Sequence, residues 1–227
     1  IFDNRSSDNT QKIVKDFIDK CSTKIEYNLL ERPIEINQAR NFALRFIKQK
    51  YKNYYTHFSF CDSDDVWHKD WLLSIDEKAK NDAILYTYGY ELHGDFSKPL
   101  IVDHLLPKYT IFSSRVNLQG TMIPFSLVSE TNFFDESFVY CIDVDKWNEL
   151  FESGIEFICI KKHLFYYRIH NISMSSYGFE TVMLERWALT KKYNRSKILF
   201  LIKFSFFYTK NLLINLKKNY IKFLLNN

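Results

Sequence analysis

Ile13, Val14, Phe17 and Ile18 recur at helical spacing and share one face, behind the polar run Asp3-Asn4-Arg5-Ser6-Ser7-Asp8-Asn9. The pattern predicts a helix over Thr10–Cys21, capped by Ser7 or Asp8. Ile1 and Phe2 read as the end of a strand, so the expectation is that a further segment precedes Ile1. The first sheet element should then be very short, with a gap or exposed edge beside it. A short strand is predicted over Lys24–Leu29. A helix follows from about Asn37 to Lys50, with Ala39, Phe42, Ala43, Phe46 and Ile47 as its apolar stripe. His57–Phe60 reads as a strand, Lys69–Lys80 as a helix and Ala83–Tyr90 as a strand. Residues 93–118 show no clear period and read as a long loop. Gly120–Val128 is strand-like, Phe133–Tyr140 a loop, and Asp143–Ser153 a helix stopped by Gly154. Glu156–Ile160 and Phe165–Arg168 read as two strands. Strands alternating with helices predict an α/β fold with a mixed, mostly parallel sheet. No internal repeat is visible.

Composition narrows this little. The 227 residues are 46% apolar and 26% charged, ordinary globular values that exclude a disordered chain. Only five Gly and four Pro argue against a turn-dense sandwich or barrel. The 21 Phe, 15 Tyr and four Trp can fill a large aromatic core. Cys21, Cys61, Cys141 and Cys159 form no C-x-x-C pair and have no His at metal-finger spacing. They read as reduced cysteines of a cytoplasmic protein. No signal-peptide pattern is seen at the start.

Charge divides the chain in two. The last acidic residue is Glu185, and residues 191–227 carry nine Lys/Arg and no Asp/Glu. With a formal net charge of +4 overall, the body is mildly acidic and the tail basic. An acidic body disfavours a dedicated nucleic-acid binder. The expected division is a body over 1–190 and a helical, basic, hydrophobic tail over 191–227. Lys203, Lys210 and Lys217 fall between two apolar rows of that tail, where lysines can snorkel to lipid phosphates. Its longest apolar run, Ile198–Tyr208, is interrupted by Lys203 and is too short to span a bilayer.

The sharpest chemical signal is Asp62-Ser63-Asp64-Asp65 at the end of a strand. Clustered carboxylates repel one another unless a cation sits among them. Ligands of open α/β sheets bind at the carboxyl ends of strands. A divalent ion held by one or two carboxylates, its shell completed by phosphate oxygens, suits the cluster; a solvated turn capping the next helix is the plainer alternative. Asp3 and Asn4 close another strand and suit a nucleobase or ribose, or serve only to start a helix. Arg40 suits phosphate, or a surface salt bridge. Asp143 and Asp145 open a helix; one suits the positive helix end, the other a general base. Arg168 and His170 share a face if both lie on a strand.

In order along the chain, these segments resemble the family-2 glycosyltransferases of the GT-A fold. Asp3-Asn4-Arg5-Ser6-Ser7-Asp8 is similar to the early DDGSTD-like motif, and Ala39-Arg40-Asn41 to the ARN helix. Asp62-Ser63-Asp64-Asp65-Val66-Trp67 resembles the metal motif. Phe134-Asp135-Glu136 with Asp143-Val144-Asp145 resembles the FDE and ED-x-D pair, and Tyr167-Arg168-Ile169-His170 the YR-x-H ending. Three departures stand out. The family's first strand is absent, its usual Gly is Arg5, and the Glu before its catalytic Asp is Ile142.

The resemblance implies a nucleotide-diphospho-sugar transferase fold, Rossmann-like, with helices flanking the sheet. It implies an inverting transferase, hexosyl or related, moving a sugar from a nucleotide-diphosphate sugar to a hydroxyl of a glycan or lipid-linked glycan in bacterial surface polysaccharide synthesis. The implied roles are Asp143 as catalytic base, with Asp3, Asn4, Arg40, Asp62 and Arg168 for the nucleotide sugar. Asp64 and His170 would hold Mg²⁺ or Mn²⁺. The basic tail would attach the enzyme peripherally to the anionic inner face of the cell membrane. Arg5 and Ile142 leave a non-catalytic nucleotide-sugar- or glycan-binding pseudoenzyme as the alternative.

Overall fold

The structure is a computed structural model that describes residues 1–51, 54–79, 82–100, 116–128, 131–170, 179–206 and 208–209. Its strands are β1 (Phe2–Asp3), β2 (Asn28–Leu29), β3 (His57–Phe58), β4 (Val66–Trp67), β5 (Ala83–His93), β6 (Phe96–Leu100), β7 (Thr121–Pro124) and β8 (Glu156–Arg168). Its helices are α1 (Thr10–Ile18), α2 (Ile36–Tyr51), α3 (Trp71–Asp76), α4 (Ile142–Glu152) and α5 (Phe179–Lys192). A further helix is described over 197–206.

β5 is the centre of a six-stranded sheet in the order β3-β7-β5-β8-β4, with β6 also paired to β5. β5 and β8 run parallel from Ala83↔Glu156 to Leu92↔Arg168, with register shifts around Tyr88. The pairings of β3, β4, β6 and β7 are antiparallel. The sheet is therefore mixed as expected, but antiparallel in four of its five described pairings rather than mostly parallel; β5/β8 is its parallel pairing, and the short β1/β2 pair is a separate parallel sheet. A tight turn at Gly94, φ +59°, returns β6 directly onto β5, which forces antiparallel pairing.

Period-two alternation along β5 feeds two cores. Ile84 and Tyr86 face α4, packing with Ile142, Val144, Trp147 and Leu150. Leu85 faces the other way, packing with Trp71 and Ile75 of α3 and with Met122 and Ile160. Phe165 is 2% exposed and lies against two glycines. A Cβ at Gly89 or at Gly120 would come within 2.4 Å of its ring. Only bare backbone at these positions lets the ring in, and the packing fixes β8 against the segment preceding β7.

Several boundaries differ from the expectation. The two predicted strands after Gly154 are one, because the register shifts absorb the irregular stretch between them. The predicted loop beyond residue 93 begins instead with β6; residues 101–115 lie outside the described residues. Asp143–Ser153 is helical from Ile142. β1 is two residues long, as expected, and pairs with β2 as a separate two-stranded sheet. Phe2 seats it on α2, with ring centroids 6.1 Å from Phe42 and 5.5 Å from Phe46.

α5 runs across the expected boundary at 190/191 and is fastened to α4. Asp145, fully buried, accepts from Lys192 Nζ at 3.0 Å and Tyr193 Oη at 2.8 Å. Arg195 Nη2 donates to Glu152 at 2.7 Å. Phe200 is buried against Trp187, whereas Ile198, Leu201, Ile202 and Phe206 are exposed. Most of the expected tail, including Lys210 and Lys217, lies outside the described residues. Among those described, no helix is long and apolar enough to cross a membrane.

Candidate active site

The acidic loop between β3 and β4 opens into a cleft of about 770 Å³. Its walls come from separate parts of the chain: Arg40 of α2, Asp62 and Asp64 of the loop, Gln119 before β7, Asp143 of α4 and His170 after β8. A smaller cavity of about 370 Å³, beside Lys48 and Tyr51, contains none of these groups.

Each acidic side chain has a different setting. Asp62 is gripped by Arg40, whose Nη2 lies 2.8 Å and 3.0 Å from its two oxygens. Gln119 Nε2 donates to the same carboxylate at 2.7 Å. Asp64 Oδ2 lies 2.9 Å from His170 Nε2. Asp65 turns inward, 8% exposed, and accepts the backbone N–H of Arg168 at 2.8 Å. Its second oxygen is buried without a hydrogen-bond partner. Burial raises its pKa; Arg168 N–H opposes this, and Asp64 and Asp62 add to it, leaving the carboxyl at about 6.

The site suits a divalent cation by its donor set. A carboxylate oxygen and an imidazole nitrogen, Asp64 Oδ2 and His170 Nε2, lie 2.9 Å apart at the cleft, close enough to share one ion. Among the described residues no group of three or more His, Cys, Asp or Glu is arranged for a metal. Asp64 and His170 could supply two ligands of a shell that a bound diphosphate and water would complete.

Of the residues singled out in the sequence, Arg40, Asp62, Asp64, Asp143 and His170 line this one cleft. Arg168 does not line it with them. Its Nε donates to the Asp64 carbonyl at 2.8 Å, so it braces the acidic loop from behind. β8 ends at Arg168, and the strand periodicity that would have put Arg168 and His170 on one face ends with it. Asp3 accepts from Tyr27 Oη and, at 2.7 Å, from Ser6 N–H. Burial would raise its pKa, but these bonds outweigh it and hold the carboxyl below its usual value. Asn4 bonds both backbone groups of Ile34, at 2.7 Å and 3.0 Å. Asn4 thus holds the loop leading to α2, while Asp3 ties its own loop to Tyr27. Burial separates the two acids of α4: Asp145 is in the core on Lys192 and Tyr193, and Asp143 is at the cleft.

The model of glycosyl transferase family 2 matches residues 1–127, more than half of the chain. The chain belongs to glycosyl transferase family 2. Within this family its fold is GT-A. Among solved structures it is similar to residues 1–349 of TarS from S. aureus, with a TM-score of 0.52 and 18% identity. The match covers 74% of this chain and 50% of that one, so the chain spans half the length of its solved relative. No curated protein matches.

Two members of the family-2 cleft gave no signal in the sequence. Gln119 and Arg186 are single polar residues outside any motif, the first in a stretch without period and the second on α5. Only the long-range packing of β5, β8 and α5 brings them to the carboxylates. Gln119 is further fixed by its carbonyl, which accepts from Trp67 Nε1 at 2.7 Å.

Proposed function

We propose that this family-2 chain transfers a sugar from a nucleotide-diphosphate sugar to a hydroxyl of a glycan or lipid-linked glycan, with inversion, in bacterial surface polysaccharide synthesis. The observation that carries the reading is the convergence of Arg40, Asp62, Asp64, Asp143 and His170 on one cleft from four distant stretches of chain. A solvated acidic turn would not gather an arginine, a histidine and a second acidic segment around itself.

Arg40 and Gln119 hold the Asp62 carboxylate in a fixed direction, which suits it to a ribose hydroxyl. Arg40 keeps further donors for the nucleotide. Asp3 and Asn4 would serve the nucleotide by fixing the loops around them, Asp3 through Tyr27 and Ser6 and Asn4 through Ile34. Asp64 and His170 would hold Mg²⁺ or Mn²⁺, which when bound neutralises charge on the leaving diphosphate. Arg168 supports that side by fixing the Asp64 backbone. Asp143 takes the proton of the acceptor hydroxyl as its oxygen attacks the anomeric carbon. A single displacement of this kind inverts the configuration at that carbon.

The body, proposed as 1–190, would be held at the anionic inner leaflet by the tail 191–227. The exposed Ile198, Leu201, Ile202 and Phe206, with Lys203 among them and Lys197 just before, support peripheral attachment. Co-sedimentation with anionic vesicles, lost on removal of residues 197–227, is the expected result. Equal binding to neutral vesicles would remove the electrostatic part.

The transfer reading is tested by incubating the full chain with a panel of nucleotide sugars and Mn²⁺ and measuring nucleoside diphosphate release. Release from at least one donor supports an enzyme. Donor binding without release would make the protein a pseudoenzyme.

A further inference from the structure

The loop that delivers Asp143 to the cleft is held by a residue from another helix. Three successive backbone N–H groups, those of Val139, Tyr140 and Cys141, donate to the carboxylate of Glu185 at 2.7, 2.9 and 2.8 Å. α4 starts at the very next residue, Ile142, and its N-cap Cys141 makes no side-chain cap. Glu185 thus supplies, from α5, the negative charge that a helix N-terminus favours. It also satisfies backbone donors that would otherwise be spent on water. The bonds join a charged acceptor to a curved run of amides, so they are stronger and more directional than neutral ones.

The same helix fastens the first turn of α4 a second time. Lys192 and Tyr193 close on the fully buried Asp145, two residues beyond Asp143. Asp143 is therefore bracketed, by the Glu185 clasp on its N-terminal side and the Asp145 lock on its C-terminal side. Val139, Tyr140 and Cys141 themselves line the cleft, as do Val182 and Arg186 of α5. A shift of the clasp would move one whole wall of the site.

We infer that Glu185 is a positioning residue for the Asp143 carboxylate, setting the approach of the acceptor hydroxyl without touching substrate. The inference rests on the proposed role of Asp143 as base. Glu185→Gln keeps the length of the side chain but offers one oxygen to three amides. Misplacement of a reacting group by about 1 Å costs on the order of 100-fold. Turnover per folded molecule is thus expected to fall about 10- to 100-fold, with the donor KM unchanged, beyond any modest loss of Tm from the weakened cap. Glu185→Asp, which keeps the charge on a shorter arm, should recover part of the loss.

The test compares Glu185→Gln, Glu185→Asp, Asp143→Asn and the double variant Glu185→Gln/Asp143→Asn. If Glu185 acts through Asp143, the double variant is no slower than Asp143→Asn alone. Additive losses, wild-type turnover in both Glu185 variants, or a fall in Tm with unchanged kcat per folded molecule would each overturn the inference. Should Glu185→Gln fail to fold, a folded Glu185→Asp with reduced kcat and unchanged donor KM supports it, and full kcat overturns it. Wild-type turnover in Asp143→Asn would instead sink the base assignment itself, which separates the two failures.

Discussion

His170 Nε2 lies 2.9 Å from Asp64 Oδ2, although 106 residues separate them. The approach is built one residue further along, where Asp65 accepts the backbone N–H of Arg168 at 2.8 Å. β4 and β8 pair antiparallel through Val66↔Tyr166, which lays the end of β8 beside the acidic loop. The family-2 site is thus closed by sheet pairing rather than by a local motif.

Asp143 is expected to be the base. Asp143→Asn should retain donor binding and lose turnover by roughly 10²- to 10⁴-fold. Steady-state kinetics with an active donor checks this. Asp145 cannot substitute, because it is fully buried on Lys192 and Tyr193. Wild-type turnover in the variant would move the role to a residue elsewhere in the cleft.

Arg5 is a strained position. Its φ is +68°, in the left-handed region that favours glycine, and the resembling motif carries Gly there. A non-glycine residue in this region costs about 1–2 kcal/mol, offset by roughly 0.5–1 kcal/mol of extra unfolded-state entropy when glycine replaces it. Arg5→Gly should therefore stabilise the protein by about 0.5–1 kcal/mol. Denaturant melts of the two proteins measure it; equal or lower stability in the variant would show that the Arg5 side chain contributes more than its backbone costs.

How much of this was legible in the sequence follows from the range of the forces involved. Ala83–Tyr90 was readable as a strand because its largely apolar run is long and, through Gly89, buried on both faces; its extension to His93 is less buried. The acidic loop was readable because three carboxylates in four residues need a local reason. β4 and β6 were not, since Val66–Trp67 is too short to show a period and Phe96–Leu100 is mostly exposed. The Glu185 clasp was invisible for another reason. Its partners are backbone amides 44 to 46 residues away, and backbone amides leave no trace in side-chain pattern. Asp3 and Asn4 looked like ligand groups because their bonds to Tyr27 and Ile34 are likewise non-local.

Asp65 should give the metal-free protein a pH-dependent stability. Its folded pKa of about 6 lies above the ordinary 3.8, so the folded state binds its proton more tightly than the unfolded one. The contribution is fully present below about pH 3.8 and is lost as pH rises through about 6. In EDTA, the Tm of Asp65→Asn relative to wild type should therefore rise between pH 4 and pH 7, since the amide has no proton to lose. Thermal melts across that range check the sign. A difference that stays constant with pH would mean that Asp65 ionises normally in the fold.

The Asp64/His170 end of the cleft is proposed to bind a nucleoside diphosphate through a divalent cation. Isothermal titration of the full chain with UDP, GDP, dTDP and ADP, with Mn²⁺ and with EDTA, tests it most directly. The expected result is saturable binding of at least one nucleotide that needs Mn²⁺ and is lost in Asp64→Asn. Binding that is equal in EDTA and in Asp64→Asn, or no binding of any of the four with Mn²⁺ present, would contradict it.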